Sequence, residues 1–243
     1  MPYRRLPNTD SSRLRALHLL YNKGKELPPF KLGFSQNVYT RIQSFLPGFE
    51  NAISHFRQAY AVQVKRSREY QSSMKKARMY ISHFIQVLNM AIARGELPPQ
   101  TRVYYGLEEH SSRLPSLVSE RDILKWGEAI IKGEQQRVMK GLAPVTNPTV
   151  AVVKVRFENF REACQNQKVL QKNSERALEE LSRLRKLADE IISQAWNEVE
   201  NSFAGLPDEV RRSRASEYGV VYVYRKNELP GLSVFDRIQV SVE

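Results

Sequence analysis

A chain of 243 residues, 41% hydrophobic and 26% charged, is long enough to bury a core and too apolar for wholesale disorder. Its formal net charge of +12 is unevenly carried: residues 1–100 hold 16 Lys/Arg against 5 Asp/Glu, and residues 101–243 hold 22 against 21. Such asymmetry points to an acidic partner or surface.

Asp10-Ser11-Ser12 supplies short oxygen side chains suited to capping a first helix, with Leu14, Leu17, Leu20 and Tyr21 on one face. Gly24 and Pro28-Pro29 are expected to stop it. A short second helix is expected from Ser35 through Val38, Ile42 and Phe45, with Pro47-Gly48 breaking or kinking the chain. A heptad seam follows, in steps of four and three: Phe49, Ile53, Phe56, Tyr60, Gln63, Ser67, Tyr70, Met74, Ala77, Ile81, Phe84, Leu88 and Ala91. The spacing predicts a long helix of about 45 residues, over about 48–95, some 65–70 Å in length at ~1.5 Å per residue.

A loop with short helical pieces is expected over 97–118. A helix from Ser119 to about Lys140 should follow, capped by Ser119 and Asp122, with Ile123, Trp126, Ile130, Ile131 and Val138 as its apolar set. Asn147-Pro148 reads as the cap and first residue of a second long helix, over about 148–204. Its seam is Val153, Phe157, Phe160, Cys164, Gln167, Gln171 and Ser174, then Leu178, Leu181, Leu184, Ala188, Ile192, Ala195 and Val199. A shift of 108 residues aligns the two long segments with eight identities in 51 pairs, a level that shared heptad composition also raises. After a short helix near 207–217, the runs Val220–Tyr224 and Ser233–Val242, separated by the turn Asn227–Gly231, read as a β-hairpin. The domain reading is therefore a helical bundle over 1–218 with a hairpin over 219–243 packed on it. The fold class is mainly α: an elongated up-and-down bundle with two long coiled-coil-like helices and a small C-terminal β-hairpin.

The opening Pro2–Asp10, with Arg13-Leu14-Arg15-Ala16-Leu17 behind it, resembles the start of an uncharacterised family of bacterial helical proteins of Bacteroidetes type. That resemblance covers only those residues and implies no activity, so no functional residue is carried over.

No catalytic, cofactor-binding or metal-ligating residue is expected. Di-iron bundles need Glu-x-x-His pairs, which this chain lacks, and His18, His55, His83 and His110 are scattered. The single cysteine, Cys164, excludes an internal disulfide framework and any multi-cysteine zinc site, and reads as a small core residue. Phosphate-binding glycine loops and the nucleophile elbow are absent. No run approaches the ~18 apolar residues of a membrane span. The first ten residues lack a secretory apolar stretch, so a cytoplasmic protein is expected.

Two features stand out as candidate sites. Gln63 and Ser67 in one seam, with Gln167, Gln171 and Ser174 in the other, either form a buried polar layer or fix the pairing register. Arg57, Lys65, Arg66, Arg68, Lys75, Lys76 and Arg78, with Glu69 the only acid among them, form a basic stripe that can reach a polyanion. The same stripe also reads as a solvated face, or one paired with Glu175, Glu179 and Glu180. The expected function is a non-enzymatic interaction or scaffolding protein with a protein partner or self-association; the alternative is a nucleic-acid-binding protein of nucleoid-associated type.

Overall fold

The computed structural model describes residues 2–224. They form helices α1 (Asp10–Glu26), α2 (Gln36–Ala93), α3 (Glu120–Met139), α4 (Val150–Ser202) and α5 (Asp208–Ser216). Two 3-10 segments, Pro29–Lys31 and Pro99–Tyr105, lie between them. Strands β1 (Tyr3–Arg4) and β2 (Tyr222–Val223) pair antiparallel, Tyr3 opposite Val223 and Arg4 opposite Tyr222. The protein is mainly α, as its periodicity predicts, with a small antiparallel sheet near the C-terminus. Among the described residues no helix is long and apolar enough to cross a membrane.

The chain does not break at Pro47. α2 runs through it as one helix, so the expected short helix and long helix are a single element. An interior proline removes one helical N–H and crowds the preceding turn, at a cost of about 3 kcal/mol. Pro47 and Gly48 face solvent, whereas Ile42, Leu46, Phe49, Ala52 and Ile53 are buried on the opposite side. At about 1.5–3 kcal/mol for each large apolar side chain, that shared burial outweighs the missing bond. At the other long helix the start is later than expected. The Asn147–Pro148 peptide is cis, and α4 begins at Val150.

The helical part, read from sequence as one bundle over 1–218, divides into two compact units. The first contains residues up to Gln58 and from Glu175 onward; the second contains Ala59–Ser174. Each has its own core, and the two cores share no residue. From Ala59 to Met74 no residue of α2 is fully buried, and this is where Gln63 and Ser67 interrupt its apolar seam.

In the first unit, Leu17 and Leu20 of α1 meet Ile42 and Phe49 of α2, and Leu181, Ile192 and Trp196 of α4, with Ala215 and Tyr218 closing the cluster. The α2 and α4 segments run antiparallel: Ser35 N–H donates to Glu198 Oε2 (2.7 Å) and Arg41 Nη1 to Gln194 Oε1 (2.6 Å). α1 is capped by Thr9, one residue before the expected position, through a reciprocal box with Ser12. Arg185 clamps Asp10 through Nε and Nη2 (2.7 and 2.8 Å), and Arg13 clamps Asp189 in the same way (2.7 and 2.9 Å). The Arg185 hydrogen bond holds the Asp10 carboxyl below its ordinary range.

β2 lies in the β-branched run expected to open a hairpin. Its partner among the described residues is the N-terminal strand β1, and the other expected arm, Ser233–Val242, lies outside the described residues. Side chains anchor the pair to α4: Arg4 donates to Asn197 and Glu200 (2.7 and 2.9 Å), and the Tyr222 hydroxyl donates to Glu200 (2.5 Å).

In the second unit, Ala77, Ile81, Phe84 and Leu88 of α2 pack with Ile123 and Ile130 of α3, and with Val153, Phe157, Phe160 and Cys164 of α4. Here too the two long helices run antiparallel, with Arg156 over the Tyr80 ring (5.5 Å) and Phe160 beside Tyr70 (6.0 Å). Two glycines on α3 permit close approach. A Cβ at Gly127 would meet the Phe157 ring at 2.3 Å, and one at Gly133 would meet the Tyr104 carbonyl oxygen at 2.3 Å.

Candidate functional site

All seven residues of the basic stripe are exposed. Arg57 belongs to the first unit, where its charge contributes to holding Asp10 ionised. The remaining six lie on the second unit's segment of α2. At 100° per residue, the buried stripe of Ala77, Ile81, Phe84 and Leu88 occupies one side of the helix. Lys65, Arg68, Lys75 and Lys76 fall within an arc of roughly 100° centred opposite it, Arg78 flanks that arc, and Arg66 lies on the side that faces α4, where it lines a groove with Asn166 and Gln167. From Lys65 to Lys76 the row extends about 16 Å at 1.5 Å per residue.

Density on one helix, rather than pairing alone, marks this row: several cations elsewhere in the unit, such as Arg113, Lys154 and Lys172, also form no ion pair among the described residues. In the second unit, Arg94 binds Glu96 (2.6 Å), Arg161 binds Glu158 (2.5 Å) and Lys168 binds Glu120 (2.8 Å). Arg66 binds Glu69 (2.5 Å). Lys65, Arg68, Lys75, Lys76 and Arg78 form no ion pair within this unit among the described residues. The unit as a whole carries 19 Lys/Arg against 10 Asp/Glu. Six of those cations stand between Lys65 and Arg78, where Glu69 is the one acid in the sequence.

The polar seam residues do not act as one layer. Gln167 and Ser174 are buried, Gln63 and Ser67 are half-buried, and Gln171 is exposed. The Ser174 hydroxyl donates to Gln63 Oε1 (2.5 Å), tying α4 to α2. Gln167 Oε1 has no donor among the described residues, and Gln167 walls an open groove of about 580 Å3 with Val62, Arg66, Tyr70 and Asn166. Beyond Ser174 the buried stripe of α4 passes to Ala177 and Leu181, leaving the expected seam residue Leu178 exposed. At 100° per residue the step of three from Ser174 to Ala177 turns the buried stripe by about 60° around the helix, so the position that a step of four reaches no longer lies on it.

Cys164 is buried, as expected of a core residue. It lies beside Glu120, which also accepts from Tyr70 (2.9 Å) and pairs with Lys168. Burial, and then the contact with Glu120, pushes the thiol up, which keeps it protonated and weakly nucleophilic. Burial and the Glu120 hydrogen bond raise the Tyr70 phenol to about 12. Hydrogen bonds from Cys164 and Lys168 lower the Glu120 carboxyl, so the cluster rests as a carboxylate ringed by donors.

The polar group most thoroughly removed from water is not among those that the sequence motifs single out. Glu134 and Arg137 on α3 are 0% and 1% exposed and pair at 2.9 Å. The Tyr105 hydroxyl donates to Glu134 and accepts from Arg137 (2.8 Å). Burial first, and Glu134 second, raise the Tyr105 phenol, which fixes it as the donor. Glu134 also accepts from Val145 N–H (2.6 Å), and Arg137 donates to the Ala143 carbonyl (2.9 Å). The network thus ties the loop after α3, and the 3-10 segment before it, to one helical turn. Val138, expected on the buried face, is exposed. A signal existed: Glu134 and Arg137 continue the series Ile123, Gly127, Ile130 in steps of four and three, and so fall on the buried stripe.

His18, His55, His83 and His110 are all exposed, with His18 beside Glu50 (2.7 Å). Among the described residues no three of His, Cys, Asp or Glu are gathered as a metal site would require. No protein-family model, no curated protein and no solved structure matches this chain.

Proposed function

We propose that this chain is a non-enzymatic interaction protein whose docking face is the outer side of α2 between Lys65 and Arg78, and that the partner it receives there is a polyanion. One observation carries the reading: five exposed cations without an ion pair among the described residues of their unit crowd into one stretch of α2 in which Glu69 is the one acid. Exposed charges facing solvent lose little on meeting a partner's anions and release the counterions condensed on it. The face offers cations without a groove-entering helix or an aromatic stacking platform, so the affinity it supports is electrostatic and sequence-independent. Nucleic acid is the polyanion that best matches a row about 16 Å long, since that length of duplex axis carries about nine phosphate charges. A second reading, a scaffold for an acidic protein, draws on the same cations.

The test is fluorescence anisotropy of a labelled DNA duplex and an RNA strand across a salt series, with poly-glutamate as competitor. Neutralising four phosphates predicts a loss of about 150-fold in affinity between 50 and 200 mM salt. Reversing Lys65, Arg68, Lys75 and Lys76 to Glu should abolish binding without changing the thermal unfolding of the protein. Absence of binding in low-salt buffer, or binding untouched by the reversal, would sink the proposal. Displacement by poly-glutamate at equal charge would favour the acidic-protein reading.

A further inference from the structure

Within the first unit, an open cleft of about 490 Å3 lies between the N-terminal segment, the start of α1 and the turn that follows α5. Its size falls in the range of small-molecule sites, roughly 300–1,000 Å3. The composition of its wall is one-sided. Arg5 and Arg15 line it, both exposed and neither in an ion pair among the described residues. The Asn8 amide adds further hydrogen-bonding capacity. Trp196 forms part of the wall; it is 1% exposed, and its indole N–H finds no acceptor among the described residues. No described Asp or Glu lines the cleft.

The rest of the wall is apolar, with Leu6, Ala16, Leu19, Val220 and Val221. Gly219 shapes this side. Its φ of +85° turns the chain out of α5, and a Cβ there would come within 3.1 Å of Leu19. Arg5 N–H donates to the Val221 carbonyl (2.9 Å), so the backbone carrying one cation is fixed to the apolar wall. Two unpaired guanidinium groups, an orphan indole donor and an apolar floor, with no carboxylate to compete, suit one ligand chemistry.

We propose that this cleft binds a small carboxylate with an apolar body. Arg5 and Arg15 hold the carboxylate, and the apolar body lies against Leu6, Leu19 and Val221. Trp196 and Trp126 are the chain's two tryptophans and fall in different units, so each reports on its own surroundings.

The experiment is a titration of the 15N-labelled full chain with decanoate below its micellar range, following the two indole N–H resonances. Trp196→Phe assigns them. The expected result is a saturable shift of the Trp196 resonance alone, with decanol and decyltrimethylammonium binding at least about tenfold more weakly. Replacing Arg5 and Arg15 together by Gln should weaken decanoate by about tenfold, the loss expected when charge-assisted hydrogen bonds are removed. Leu19→Asp, an exposed substitution that sets a like charge on the wall, should weaken it at least as much. The Lys65, Arg68, Lys75 and Lys76 reversal should leave it unchanged, which separates this site from the basic face of α2. No shift of Trp196, equal shifts of both indoles, equal affinity for the three ligands, or full affinity in the Arg5/Arg15 variant would overturn the proposal.

Discussion

Arg137→Met is the substitution whose cost follows most directly from the structure. It removes the cation from Glu134, which stays fully buried with only the Tyr105 hydroxyl and the Val145 N–H to stabilise its charge. Breaking a buried ion pair from one side costs about 3–5 kcal/mol. Glu134→Gln should cost a similar amount, because it strands a buried guanidinium. The double variant is milder. The amide it places on α3 can accept from the Val145 N–H through its oxygen and donate to the Tyr105 hydroxyl oxygen through its nitrogen, and the methionine side chain fills most of the arginine's volume. Its main loss is the donor to the Ala143 carbonyl, about 1–3 kcal/mol. The two substitutions should therefore couple by about 3 kcal/mol. Urea unfolding followed by Trp126 fluorescence in a Trp196→Phe background reads the second unit alone. At about 3–5 °C per kcal/mol, Arg137→Met should lower its Tm by about 10–20 °C. A single-variant cost under about 1 kcal/mol, or additive singles, would refute the view that the pair is desolvated and coupled.

Two further outcomes test the first unit's acid sensitivity and the second unit's packing. Asp10 has a folded-state pKa below its unfolded value, so its clamp by Arg185 contributes stability that is complete above about pH 4–5 and is lost as pH falls through the folded value. Asp10→Asn should cost about 1 kcal/mol at pH 7, given partial exposure, and flatten the first unit's unfolding midpoint below about pH 4 as read by Trp196; an unchanged acid profile would count against it. Gly133→Ala should destabilise the second unit by about 2 kcal/mol or more, because its Cβ meets backbone rather than a movable side chain, whereas Gly48→Ala, in open space within α2, should stabilise by about 0.5–1 kcal/mol. Equal and opposite results in urea titrations would show that propensity, not crowding, decides at Gly133.

The helices were legible because their causes are local. The heptad positions from Ala77 to Leu88, from Val153 to Cys164 and from Ala188 to Val199 are buried, and Ser119 with Asp122 forms the expected cap of α3. Where expectation and structure part, a nonlocal term decides. Pro47 reads as a break by local rule, yet burial of Ile42, Leu46 and Phe49 on one face carries the helix through it. Tyr222-Val223 reads as a strand from its side chains, but a partner at the opposite end of the chain, Tyr3-Arg4, lies beyond what propensity can foresee. The division into two units is half visible. The polar run at Gln63 and Ser67 marks where one core ends, but a continuous stripe of seam positions gives no measure of how much apolar area each side retains.

The two proposed sites differ in the same way. The basic face lies on one helix, so its direction follows from 3.6 residues per turn alone, and only its lack of partners needed the structure, because pairing depends on which acids the fold brings near. Arg13 and Arg15 make the point. Both stand near the start of α1, two residues apart, and so point to different sides; Arg13 finds Asp189, while Arg15 finds a cleft. That cleft is assembled from residues 5–19, Trp196 and residues 216–221, three stretches that carry no shared motif. Their convergence follows from the β1–β2 pairing, which carries Arg5 onto Val221, and from α5 returning Gly219 to Leu19. A site made by chain return is invisible to periodicity, whereas a charged face on a single helix is not, and charge-reversal on α2 and Arg5/Arg15 neutralisation should accordingly act independently of each other.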